Sequence, residues 1–366
     1  MPSASSRSWK PGPPALWVGL ALVAAIAVAL AVLPLAGRPT PGPVAVGRSA
    51  LLAPAKTTAL TAAGRGRVRA ASWWGHVYTA STGEAVTLSI SDSYPVDDAV
   101  GQSWADYFAG LVHGSELQLL HVFVAPPTEV QQMCGSPYAL GCYGSNMLAV
   151  IGEPSGGIDP KEVAAHEYGH HAAFNRVNPP WIAVDWGTKR WASYTGICRR
   201  VAEGTAFPGD ESTHYRLNPG EAFAETYRAV NDAKTGSALT WPIVDSSFYP
   251  DSTALQAVEE DVVHPWTAPT TKAVQARFTA LGSKVWKLAL PTPLDGQLDV
   301  VLSIPKGGLY NLSLLAPDSG TVLAGGLWSG TDQKKLSYTI CGQRSVMLRV
   351  TRIGLAGRFT VRYTQP

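Results

Sequence analysis

His166, Glu167 and His170 fall in one short run, His166-Glu167-Tyr168-Gly169-His170. On a helix, residues four apart share a face, so the two imidazoles can grip one metal ion. The Glu167 carboxylate then sits beside that ion, placed to take a proton from a water held there. Zinc suits this spacing. A catalytic zinc takes three protein ligands and leaves a fourth position to water, so a third ligand must come from elsewhere.

One way to supply it is a third histidine six residues on, in the pattern H-E-x-x-H-x-x-G-x-x-H. Here positions 173 and 176 are Ala and Arg, which excludes the metzincin arrangement. His171 points about 100° away from His170 around the helix, so it is expected to be a structural or surface histidine. The other way is a glutamate from a later helix. Glu221 and Glu225 are four apart and face the same side. The first can bind zinc, and the second can accept the free ring N–H of a ligand histidine. A solvated acidic helix face is the competing possibility. The apolar neighbours Ala222, Phe223 and Ala224 point instead to a buried helix, where two carboxylates are costly unless paired or metal-bound.

Two helices must carry these groups. The first is predicted to start near Asp159-Pro160, an N-cap followed by proline at the first turn. The second is predicted to start near Asn218-Pro219. Gly169 costs about 0.5–1 kcal/mol inside a helix, which points to a close approach of another group. Upstream, alternation predicts a strand over 85–90. A helix is expected over 97–112, with Val100, Trp104, Tyr107, Phe108 and Leu111 on one face. Short strands are expected over 120–124 and 147–151. The latter is either an edge that pairs with an extended substrate or an inner strand. Residues 178–215 are expected to be irregular, with Trp181, Trp186 and Trp191 lining a cleft or packing a core. A further helix is expected over 252–262. After Gly282, short alternating runs at 298–304, 309–315, 336–340, 346–351 and 359–363 predict a β-sandwich.

The 366 residues suit about two domains, and 46% hydrophobic content allows a sizeable core. A net charge of +2 with no long basic run gives no case for nucleic acid. No charged residue lies between Lys10 and Arg38, and residues 15–35 are almost wholly apolar. That is the length of a membrane-spanning helix, with a cleaved signal peptide as the rival. Arg7 and Lys10 before it favour a cytoplasmic N-terminus. Either way the bulk of the chain is expected outside the cytoplasm, at the cell membrane or secreted. Four cysteines fit that address. Cys134 with Cys142 across a short loop, complemented by Cys198 with Cys341, is one of three possible pairings.

The pair H-E-Y-G-H and E-A-F-A-E resembles the gluzincin branch of the zincin metallopeptidases, with a lethal-factor- or thermolysin-like zinc site. The likeness covers mainly residues 160–230. It implies His166, His170 and Glu221 as Zn2+ ligands, Glu167 as general base and Glu225 as partner of a ligand histidine. It also implies an oxyanion donor, for which Tyr215 is the first candidate, His214 a competitor and Tyr227 a weaker one. The C-terminal strands resemble bacterial pre-peptidase C-terminal domains in pattern. The expected fold is α+β: a membrane segment or signal in 1–38, a linker in 39–75, a zincin-like domain in 76–282 and an all-β sandwich in 283–366. The expected function is zinc-dependent endopeptidase action on protein or peptide substrates. The alternative is a non-proteolytic surface binding protein on the same scaffold. Oligomeric state is not legible.

Overall fold

Val86, Leu88 and Ile90 alternate with polar neighbours and turn one face of a strand into the core. The computed structural model describes residues 72–326 and 333–366. Its first part holds β1 (Trp73–Trp74), β2 (Val77–Thr79), β3 (Ala85–Ser91), α1 (Asp98–Gly110), β4 (His121–Ala125), α2 (Pro127–Cys134), β5 (Gly141–Gly144) and β6 (Met147–Ile151). The sheet order is β1-β3-β4-β6-β5, with β2 also paired to β3. Strands β3, β4 and β6 run parallel, and β5 is the antiparallel edge. Strand β6 is therefore an inner strand, because the backbone of Gly141–Gly144 covers its outer side. Trp73 and Trp74, expected to end the linker, pair with Ser91 and Ile90. Val100 departs from the expected apolar face of α1 and is 42% exposed, while Trp104 and Phe108 are buried. The apolar segment 15–35 lies outside the described residues. Among those described, no helix is long and apolar enough to cross a membrane.

The motif helix α3 (Pro160–Phe174) starts where Asp159 accepts from the Lys161 N–H. Helix α7 (Pro219–Thr235) starts in the same way, with Asn218 accepting from Gly220. The two cross at Gly169. A Cβ there would lie 2.6 Å from the Ala224 Cα, so only glycine allows this approach. Behind α3, buried Glu116 accepts from Arg176 at 2.7 Å, from Tyr168 at 3.1 Å and from the Gly114 N–H at 2.8 Å. His171 is buried in the same network, bonded to the Glu116 carbonyl and the Tyr143 hydroxyl. It is structural, and its bonds leave it no part in a metal tetrahedron.

Burial alone would raise the Glu116 pKa, but the Arg176 charge and the hydrogen bonds outweigh it and hold the carboxyl below its ordinary value. A depressed carboxyl stabilises the fold above its unfolded pKa and stops doing so as pH falls through the folded one. Arg176→Ala should therefore cost about 3 kcal/mol at neutral pH, where it strands a buried carboxylate. The deficit should shrink in acid. Urea unfolding at both pH values measures it, and equal deficits would contradict this role.

The irregular stretch expected over 178–215 contains three short helices, α4 (Ala183–Trp186), α5 (Lys189–Thr195) and α6 (Ile197–Ala202). Their lengths are too short for helical periodicity to show in sequence. Trp191 packs edge-on against Phe223 in the core, and Trp181 stacks on Trp186. Helix α8 (Ser252–Val263) follows α7. Then comes a sandwich of two four-stranded antiparallel sheets. It is built from β7 (Thr270–Phe278), β8 (Val285–Pro291), β9 (Gly296–Ser303), β10 (Tyr310–Leu315), β11 (Val322–Gly326), β12 (Gln333–Ile340), β13 (Ser345–Arg352) and β14 (Gly357–Gln365). The orders are β11-β10-β13-β8 and β12-β9-β14-β7. Strand β7 pairs with β14 along nine residues, so the sandwich begins ahead of Gly282.

The sandwich is fastened to the helical part. Cys198 is bonded to Cys341, and Cys134 to Cys142. Lys189 is buried with its Nζ on the carbonyls of Pro179 and Asp295, 2.8 and 3.0 Å away, and over the rings of Trp181 and Trp266. Arg344 bridges the Asp295 carboxylate and the Ser193 carbonyl.

Candidate metal centre

Helix α3 presents His166 and His170 on one face, and α7 brings Glu221 and Glu225 to meet them. His166 Nε2 lies 3.2 Å from Glu221 Oε2, and His170 Nε2 lies 3.3 Å from Glu221 Oε1. One ligand atom from each of His166, His170 and Glu221 falls within 4.8 Å of the others, so the three can hold a metal ion. Two imidazoles and a carboxylate form a donor set that zinc accepts, and all four cysteines are held in disulfides, which leaves no thiolate to join it. Among the described residues this is the only group of its kind.

The remaining ring nitrogen of His166 is also held. Its Nδ1 lies 3.0 Å from Glu225 Oε2. Glu225 is fully buried and grips Arg228, which donates from Nη2 at 2.7 Å and from Nε at 3.2 Å. Arg228 continues to Asp232 and to the Thr240 carbonyl. This chain fixes the ring so that Nε2 is the nitrogen turned to Glu221. Arg228 was not singled out from sequence. The signal was there, since a basic residue three after Glu225 shares its face.

Burial would lower the His166 pKa, but its hydrogen bonds to Glu221 and Glu225 raise it to about 10. His170 is raised as well, chiefly by Glu221 acting against burial. Glu221 in turn is held well below its ordinary value, because the two histidines outweigh its burial. The two carboxylates thus favour a protonated His166 at the place where a divalent cation would supply positive charge. A metal must displace the His166 Nε2 proton, so affinity should rise with pH, by about tenfold per unit, and level off above about 10. Competition titrations against a chelator across that range read the slope, and a flat profile would contradict proton displacement.

Glu167 is buried next to this cluster, its Cγ facing Gly141 on the edge strand β5. Its pKa is raised, first by burial and then by the Glu221 charge, against the pull of the two histidines. Tyr215 is brought to the site and donates to Glu221 Oε2 at 2.7 Å. Its hydroxyl is held firmly protonated by burial and by the Glu221 carboxylate. His214 is not brought there by its contacts. Its ring stacks on Phe207 and its Nδ1 bonds to Asp210 at 2.8 Å. Tyr227 is buried elsewhere, bonded to the Val112 carbonyl. Glu211 is a further group at the site that no sequence motif marks. It is exposed overall, but its carboxyl is bonded to Asn218 Nδ2 at 2.7 Å. Desolvation of that end and the Glu221 charge push it up to about 7.

No protein-family model matches the chain, and no curated protein matches it. Parts of it are similar to solved structures. The Yersinia pseudotuberculosis-derived mitogen is 11% identical over 27% of this chain and 87% of that one, with a TM-score of 0.21. The pre-peptidase C-terminal domain of a collagenase from Bacillus anthracis is 10% identical over 25% of this chain and 88% of that one, at 0.22. Legionella pneumophila aminopeptidase A, in complex with aspartic acid, is 12% identical over 75% of this chain and 36% of that one, at 0.24. At such scores these likenesses carry no argument about fold or function.

Proposed function

We propose that this chain is a zinc-dependent endopeptidase acting outside the cytoplasm. The observation that carries this reading is the convergence of His166, His170 and Glu221, with Glu167 beside them and Glu225 behind His166. When bound, zinc supplies a Lewis acid that polarises a carbonyl and lowers the pKa of water to about 7. The protein groups do the rest. Glu167 accepts a proton from the attacking water and returns it to the leaving amine, a task suited to a carboxylate whose pKa is raised. The protonated Tyr215 hydroxyl is a donor at the same cluster, and we assign it to the oxygen where negative charge develops. Glu225 and Arg228 keep His166 oriented through the cycle. The paired cysteines suit an oxidising compartment.

Digestion of a broad peptide library tests the reading. Zinc-loaded wild type should cut internal peptide bonds, and a chelator should stop it. Bound zinc with no cleavage at any site would favour a surface binding protein on the same scaffold instead.

A further inference from the structure

Charge is divided unevenly along the chain. Residues 270–366 hold twelve Lys and Arg against four Asp and Glu, while residues 72–269 hold nine against twenty-three. The strand registers place much of the excess on the outer face of one sandwich sheet. One row across that sheet reads Lys335, Val301, Arg362 and Ala273. The next reads Gln333, Ser303, Thr360 and Gln275, and beyond it Arg358 stands opposite Arg277. Lys335, Arg362, Arg358 and Arg277 are all exposed. Asp299 is the one acid on this face among the described residues, and it accepts from Ser337 and Gln297.

The Arg277–Arg358 pair is the most telling feature. Directly paired residues on antiparallel strands have Cβ atoms about 5 Å apart, and like charges there destabilise the sheet. Neither guanidinium has a carboxylate partner among the described residues. Two planar forks at that spacing suit a phosphate, which arginine binds through paired N–H groups. The large apolar side chains expected of a protein interface core are missing from the three rows. Val301 is the largest apolar member.

We propose that this sheet face docks onto a bilayer rich in anionic phospholipid. The chain itself favours that occupant. Its first 71 residues hold eight Lys and Arg, no Asp or Glu, and the apolar run 15–35. An anionic surface attracts each nearby cation by about fivefold in partitioning. The proposal is independent of whether the metal centre cuts peptides.

The test uses the full chain carrying Thr360→Cys, labelled with bimane, in nanodiscs containing a lipid with a nitroxide headgroup. With equal parts phosphatidylglycerol and phosphatidylcholine, the label should be quenched. Quenching should vanish in phosphatidylcholine alone, and in about 1 M salt, where the Debye length is about 3 Å. Arg277→Gln with Arg358→Gln should weaken docking by about 30-fold. Arg277→Lys with Arg358→Lys keeps the charge and should retain most of it. Equal quenching in both lipids, or none in either, would overturn the proposal. So would salt-sensitive pairing between copies of the chain that displaces the lipid.

Discussion

Glu167→Gln should keep the metal and lose about 10²–10⁴-fold in kcat, the usual contribution of a positioned general base. That corresponds to about 3–5 kcal/mol of transition-state stabilisation. The substitution is close to isosteric. The amide can occupy the same buried slot against Gly141, and it removes no atom from the group of His166, His170 and Glu221. What it removes is a basic oxygen whose pKa is raised by burial. Metal content and peptide cleavage must be measured on the same preparation. Cleavage at the wild-type rate would eliminate Glu167 as the base. Loss of metal would mean that it belongs to the ligand set.

Glu221→Ala should have an effect of a different kind, with the metal itself lost. Disturbing a group behind a ligand, as Glu225→Gln would, typically costs 10–100-fold in metal affinity, about what is expected here. Removing a ligand outright should cost more than about 100-fold. The metal-free protein should suffer as well, because buried His166 and half-buried His170 lose their counter-charge. Breaking such a pair costs about 3 kcal/mol. The pH dependence follows from both partners. His166 is raised to about 10, so its stabilising contribution is complete below its unfolded value of 6.5 and fades as pH rises through about 10. Glu221 is depressed, so its contribution is complete above 4.5 and fades as pH falls. The stability deficit of Glu221→Ala should therefore peak between those two ordinary values. Chemical denaturation of chelated protein reads it, and a deficit that grows toward pH 10 would contradict the assigned pairing.

Much of the site was legible because its two helices announce themselves. Asp159-Pro160 and Asn218-Pro219 are starts that work by satisfying free N–H groups, and both operate as read. Gly169 signalled the crossing with Ala224 through its cost in a helix. Glu221 and Glu225 followed from their spacing and apolar neighbours. The groups that hold these residues were harder to see. Glu116 and Arg176 are 60 residues apart in sequence, and only the packed fold brings them together. Strand β5 reads as loop because its glycines carry no apolar pattern. Its pairing with β6 is made by backbone alone. Strand β7 hides for a related reason, being mostly exposed along its length. Strand β8 did carry the signal, in the alternation of Trp286, Leu288 and Leu290. Lys189 could not have been foreseen as buried, since its partners are two carbonyls and two indoles from distant parts of the chain.

The central claim is that His166, His170 and Glu221 hold one zinc and leave a position open to water. Anomalous diffraction at the zinc edge from zinc-loaded crystals tests it most directly. The expected result is a single strong peak, about 2.0–2.2 Å from Nε2 of both histidines and from a Glu221 oxygen. A fourth protein ligand closing the tetrahedron would contradict the claim. So would a peak elsewhere in the chain with none between α3 and α7.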